Sequence, residues 1–422
     1  MDRISYKYSN LILTDRKFEV PLDYDNPDGQ KITIFSREIS RKEYENKSTP
    51  YLIFFQGGPG YESPRPLTNS GWIKKASQYY KVLLLDQRGT GLSNPITEQS
   101  FSKITDEKLA RYLTFFRADN IVKDAEFIRK QIIGNEKWSI LGQSFGGFCA
   151  ANYLSYYPDG LEKVFITGGL PPLNAHPDDI YRSTYKRVIQ KNKQFYETFP
   201  RAKENVKKIA KFLKTNEVFL PNGDLLTLQR FQQLGLNLGF SDGMATLNFL
   251  FERAFINDEL SYFFLKSILS LQSFDTNPIF TILHEACYAQ GFSTNWSAQR
   301  ILNEFPEFSE NYEDTLYFTG EMLYPWMLDN YSSLKPFKGA AQILSEKRDW
   351  NKLYDEKMLR TNEVPIAAAV YTNDMYVDRN FSMELANIIP KIKIWETDKL
   401  EHNGLRSDGE KVLNNLFKLL KK

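Results

Sequence analysis

The sequence predicts an α/β fold, a mainly parallel sheet whose strand–helix rhythm is interrupted by a long helical block. Three observations carry this reading. Short apolar runs at 51–55, 82–86, 138–141 and 164–167 each end at or just before glycine-rich turns or a strand–helix turn, as strands buried on both faces do. Helical segments stand between them, which is the pattern of a parallel sheet. From about 176 to 345 no good strand is found, and the rhythm then returns at 364–371.

The elements follow in order. Two β-rich stretches within 11–40 flank the turn Asp25-Asn26-Pro27-Asp28-Gly29 and read as antiparallel strands. The run 51–55 stops at Gln56-Gly57-Gly58-Pro59-Gly60, a short helix is expected at 72–80, and strand 82–86 runs into Arg88-Gly89-Thr90-Gly91. In 120–133 the residues Ile121, Ala125, Ile128 and Ile132 fall on one helical face. Strand 138–141, helix 145–157 and strand 164–167 complete the first part. After the long amphipathic block come strand 364–371, helix 379–388, strand 392–395 and helix 408–421. No internal repeat is present.

Composition agrees with a packed protein. Of 422 residues, 42% are hydrophobic and 25% charged, which excludes a disordered or collagen-like chain. The length suits two domains, or one large domain with an insertion. Lys and Arg number 54 against 52 Asp and Glu, with no basic stripe, so nucleic acid is not an expected partner. Two cysteines, Cys149 and Cys287, make no disulfide framework and point to a reducing compartment. The first ten residues lack the apolar core of a secretory signal. No apolar run approaches the roughly 18 residues that span a bilayer. A soluble, cytoplasmic protein without membrane partners is expected, its oligomeric state open.

The chemistry centres on Gly142-Gln143-Ser144-Phe145-Gly146, a G-x-S-x-G turn between a buried strand and an apolar helix. A serine on so sharp a turn needs small residues two before and two after it, which Gly142 and Gly146 supply. Its hydroxyl needs a base. The three histidines are His176, His284 and His402. Only His402 follows the last strand, where the order Ser, acid, His places the base. His176 and His284 read as structural. The acid belongs after strand 364–371, where Asp374 is nearest the strand end and Asp378 is the second candidate, better suited to cap the next helix. Negative charge on a substrate carbonyl would meet the amides of Phe145 and Gly58. Arg88 reads as a structural ion-pair partner shaping the loop at 57–60. The lysine-rich stretch 201–214 reads as a solvated helix face, and the two cysteines as small buried hydrophobes.

Together these motifs resemble the prolyl aminopeptidases, also called proline iminopeptidases. The resemblance is carried by Gly57-Gly58-Pro59-Gly60, by the Asp86-to-Ser93 turn, by Gly142-to-Gly147 and by Glu401-His402-Asn403-Gly404-Leu405-Arg406. The separation of Asp374 and His402 (402 − 374 = 28) also fits. Two departures stand out: Gln56 where many relatives have histidine, and Tyr371-Thr372-Asn373-Asp374 where smaller relatives have Gly-Arg-Tyr-Asp. The resemblance implies an α/β-hydrolase core over 1–172 and 346–422, with a helical cap over 173–345. It implies a serine peptidase, free of metal and cofactor, that releases N-terminal residues, preferentially proline, from small peptides through an acyl-enzyme. The cap carboxylates Glu285 and Glu321 would hold the free N-terminal amine. Tyr288, Phe318, Tyr324 and Trp326 read either as a wall for a proline ring or, more often at this aromatic density, as cap core. A carboxylesterase or amidase of the same fold is the alternative enzyme. A binding protein that kept the fold without catalysis is the alternative outside enzymes.

Overall fold

The computed structural model describes residues 3–44, 48–101, 104–309 and 315–421. Its strands are β1 (Arg3–Tyr8), β2 (Leu11–Pro21), β3 (Lys31–Arg41), β4 (Tyr51–Phe55), β5 (Lys81–Leu85), β6 (Trp138–Gln143), β7 (Leu161–Thr167), β8 (Ile366–Tyr371) and β9 (Ile392–Thr397). Among the described residues they form one sheet of nine strands in the order β1-β2-β3-β5-β4-β6-β7-β8-β9. The first three strands are antiparallel and β3 meets β5 antiparallel; every pairing from β5 to β9 is parallel.

Strand periodicity sorts the core into two layers. In β4, Ile53 and Phe55 face one side and Leu52 and Phe54 the other. The first side packs on the helices Ala118–Ile133 and Phe145–Tyr156, and the second on Trp72, Val412 and Leu416. Both faces are dry, so the strands read as continuous apolar runs rather than alternating ones. β1 is the strand that sequence reading misses. All six of its residues are exposed at the sheet edge, and an edge strand with no buried face leaves no hydrophobic signature.

Between Thr167 and Ile366 the described residues add no strand to the sheet. They form helices, with one two-residue hairpin joining Phe255–Ile256 to Glu259–Leu260. β7 and β8 pair directly, Val164 opposite Ile366, so the helical block leaves and re-enters between neighbouring strands without breaking the ladder. In the helix Pro200–Thr215 the buried residues are Ala202, Val206, Ile209 and Leu213. That spacing turns the lysines outward, as expected of this stretch.

Arg88 is buried and holds Asp124 at 2.6 Å, while donating to the carbonyls of Pro21, Leu22 and Phe115. It ties β2 to the helix Ala118–Ile133 rather than shaping the loop after β4. That loop is supported instead by the neighbouring residues Asp86 and Gln87. Asp86 accepts from Arg65 at 2.7 and 2.8 Å and from the amides of Ser63 and Leu92, and Gln87 donates to the carbonyl of Gln56 at 2.9 Å.

Backbones approach closely where β6 turns into the helix Phe145–Tyr156. A Cβ on Gly146 would sit 2.0 Å from the carbonyl oxygen of Phe55, and one on Gly147 2.2 Å from that of Gly169. Both clashes are with backbone, which cannot swing aside. Gly146→Ala is expected to lower the unfolding free energy by about 1–3 kcal/mol in urea titrations. Relief of the clash requires the turn at Ser144 to shift.

Candidate active site

Ser144 stands between β6 and its helix with φ 54° and ψ −124°. L-residues with side chains rarely adopt this conformation, and it persists only where the surroundings impose it. Here they do. The Ser144 amide donates to the carbonyl of Thr167 at 3.0 Å. A Cβ on Gly142 would fall 2.4 Å from the carbonyl oxygen of Gly146. The turn lifts the hydroxyl above the C-terminal edge of the sheet.

The structure brings Ser144, His402 and Asp374 into one hydrogen-bonded chain. His402 Nε2 lies 2.9 Å from Ser144 Oγ, and His402 Nδ1 lies 2.7 Å from Asp374 Oδ2. The carboxylate cannot donate, so Nδ1 carries the proton and Nε2 is left to accept from the serine hydroxyl. Asp374 is itself fixed: its other oxygen accepts from the amides of Tyr376 at 2.8 Å and Val377 at 3.1 Å. The Tyr376 ring lies 4.5 Å from the imidazole. Asp378 is used elsewhere. It caps the helix Arg379–Ile388 through Asn380 and Phe381, and its second oxygen accepts from Ser183 on the helix Pro177–Thr198.

The loop after β4 closes on the serine. A Cβ on Gly57 would lie 2.9 Å from Ser144 Cβ, and Gly58, at φ +134°, occupies backbone space that favours glycine. The amide of Phe145 belongs to the first turn of its helix, where no carbonyl of that helix can accept it. Gly58 and Ser144 line one cavity of about 190 Å³ together with Gln143, Tyr61, Tyr376, His402 and Arg406 from the core and Leu236, Asn237, Phe240, Phe280 and Glu321 from the helical block.

The two cap carboxylates separate in the structure. Glu321 reaches this cavity, its side chain 15% exposed. Among the described residues it makes no hydrogen bond, and His284 Nε2 lies 3.7 Å from its carboxyl oxygen. Burial pushes that imidazole down to about 3, so it is neutral. Burial, reinforced by the charge of Asp374, raises the Glu321 carboxyl well above the ordinary range. Glu285 does not line the cavity. Its oxygens accept from the amides of Ser297 at 3.0 Å and Ala298 at 2.9 Å, so the carboxylate anchors the helix Ser297–Leu302. A glutamate beside aromatic residues gives no sequence sign of which way it turns, and here two unsatisfied helix amides claim it.

None of the four cap aromatics reaches the serine's cavity. Phe318 packs inside the cap against Phe195, Phe231 and Phe251. Tyr288 is buried against Phe148, and Tyr324 and Trp326 line a different cavity. The rings that do reach the serine's cavity are Tyr61, Phe240, Phe280 and Tyr376. Tyr61 and Tyr376 sit close to recognised motifs, whereas nothing in the sequence singles out Phe240 and Phe280. His176 caps the helix Pro177–Thr198, accepting from the Asp178 amide, and His284 is buried in the cap. Among the described residues no three His, Cys, Asp or Glu side chains converge as a metal site would, and no helix is long and apolar enough to cross a membrane.

A serine hydroxyl aligned with an acid-held imidazole, beside a glycine loop at the edge of a parallel sheet, is the arrangement of the α/β-hydrolase class. Residues 50–233 match the family described as alpha/beta hydrolase fold. The chain is 46% identical over 403 residues to a proline iminopeptidase of Aeromonas sobria, covering 95% of each chain. It is 33% identical to a proline iminopeptidase of Aspergillus aculeatus, covering 99% of this chain and 96% of that one. The chain belongs to the proline iminopeptidase family, serine aminopeptidases of the α/β-hydrolase fold. The solved structure of a proline iminopeptidase from Mycobacterium smegmatis has a TM-score of 0.45 at 11% identity, over 96% of this chain and 98% of that one.

The anchoring of Glu285 has a pH signature. Burial raises its carboxyl from 4.5 to about 7, so between those values the folded state binds a proton that the unfolded state has released. Stability is then fullest below the lower value and is lost as pH rises to the upper one. Glu285→Gln removes that dependence, and its amide nitrogen faces a backbone donor that it cannot accept from. At pH 5.5 the variant is expected to be less stable by about 1–3 kcal/mol, with the deficit shrinking towards pH 8 in thermal or urea unfolding.

Proposed function

We propose that this chain removes an N-terminal residue, preferentially proline, from small peptides with a free N-terminus. Ser144 Oγ attacks the carbonyl of that residue while His402 Nε2 takes the hydroxyl proton. Asp374 holds the imidazole in the required tautomer and stabilises the imidazolium. The developing oxyanion faces the amides of Gly58 and Phe145. Collapse breaks the C–N bond, the His402 proton leaves with the departing amine, and water activated by the same imidazole hydrolyses the acyl-serine.

The observation that carries this reading is the presence of Glu321 in the serine's own cavity without a hydrogen-bond partner. A buried carboxylate left so is costly, and a substrate ammonium is the complement that restores its charged form. The cavity of about 190 Å³ walled by four aromatic rings suits one compact apolar residue. The two cysteines, both free and buried, support a reducing, cytoplasmic setting.

Four outcomes are expected. Proline β-naphthylamide should be hydrolysed and its N-acetyl analogue should not; equal turnover of the two would overturn amine recognition and leave a general amidase or esterase. Glu321→Gln should raise KM for the free-amine substrate by about 10- to 100-fold. In the wild type KM should climb as falling pH protonates Glu321, and the variant should lose that dependence on Glu321. Asp374→Asn should cut kcat by about 10³- to 10⁴-fold while fluorophosphonate labelling of Ser144 slows in parallel.

A further inference from the structure

We propose that Arg406 recognises the C-terminal carboxylate of the leaving fragment, so that free dipeptides with N-terminal proline are the preferred substrate class; this rests on the function proposed above. Arg406 lines the same cavity as Ser144, His402 and Glu321, four residues beyond the histidine. Its side chain is exposed, and among the described residues it makes no side-chain hydrogen bond or ion pair.

It is nevertheless held in place. The guanidinium carbon lies 5.2 Å from the centre of the Phe240 ring. Phe240 stacks on Tyr376 at 5.7 Å and 18°, and Tyr376 lies 4.5 Å from the His402 imidazole. Arg406 thus ends a ladder of rings that begins at the imidazole. Contact through a ring face leaves the in-plane N–H groups free, and these are the groups that pair with a carboxylate two at a time.

The cavity is therefore polarised, with a carboxyl group at its buried end and a guanidinium at its open rim. A small zwitterion fits that order, its ammonium inward and its carboxylate outward, with the scissile carbonyl between them at Ser144. An extended residue spans about 3.3–3.6 Å. In a dipeptide the terminal carboxylate lies one residue beyond the scissile bond, and each further residue carries it farther from Ser144 and Arg406.

The test compares kcat/KM for Pro-Gly and Pro-Gly amide, which present the same scissile bond with and without the terminal charge. Wild type should favour the free acid by roughly five-fold, the scale of one partly exposed ion pair. The preference should fall with added salt and with chain length through Pro-Gly-Gly. Arg406→Gln should bring the ratio to about one, and Arg406→Lys should keep part of it. Both rates come from one preparation, so any loss of folded enzyme cancels. A wild-type ratio of one, or a ratio untouched by Arg406→Gln, overturns this inference alone. No turnover of either peptide by the wild type brings down the proposed function and this inference with it.

Discussion

The strained backbone of Ser144 is the constraint on which the site depends. A non-glycine residue at φ 54° and ψ −124° stores energy of order 1–3 kcal/mol. It is sustained because the helix Phe145–Tyr156 is pressed against β4 and the loop after β7 at backbone contact distance. Remove that closeness and the turn relaxes, the hydroxyl drops, and the alignment with His402 is lost. β6 lies between β4 and β7. The parallel order then delivers the loops after β4, β6, β8 and β9 to one edge of the sheet, where Gly58, Ser144, Asp374 and His402 meet.

How far the sequence revealed this depends on what kind of constraint each residue obeys. Buried parallel strands were readable because neither face can carry a charge. The serine turn was readable because its glycines answer a local steric demand, and His402 because the chain offers few imidazoles. The choice between Asp374 and Asp378 follows from distance to the strand end, and the structure brings Asp374 to the imidazole while Asp378 caps a helix. The cavity walls were not readable. Beside Tyr61 and Tyr376 from the core, they come from separate pieces of a helical block that has no common period. Glu285 and Glu321 look alike as letters, and only the free amides of Ser297 and Ala298 distinguish them. β1, exposed along its whole length, lacks the pattern that reveals strands.

The helical block is bound to the core close to the reacting groups. Lys191, 2% exposed, meets Glu401 at 2.5 Å, one residue before the histidine. The Ser241 amide donates to Asn403 at 3.1 Å, one residue after it, and the Tyr376 hydroxyl donates to the carbonyl of Leu236. These contacts flank His402 on both sides. The same segment that walls the cavity therefore also steadies the imidazole, and the lysine end of the ion pair is buried.

The bond between Ser144 and His402 joins positions 258 residues apart. During synthesis the ribosome delivers Ser144 well before His402. A nascent polypeptide thus carries the Ser144 alcohol before any His402 imidazole can meet it, and the pair forms only when β9 and the loop after it have docked.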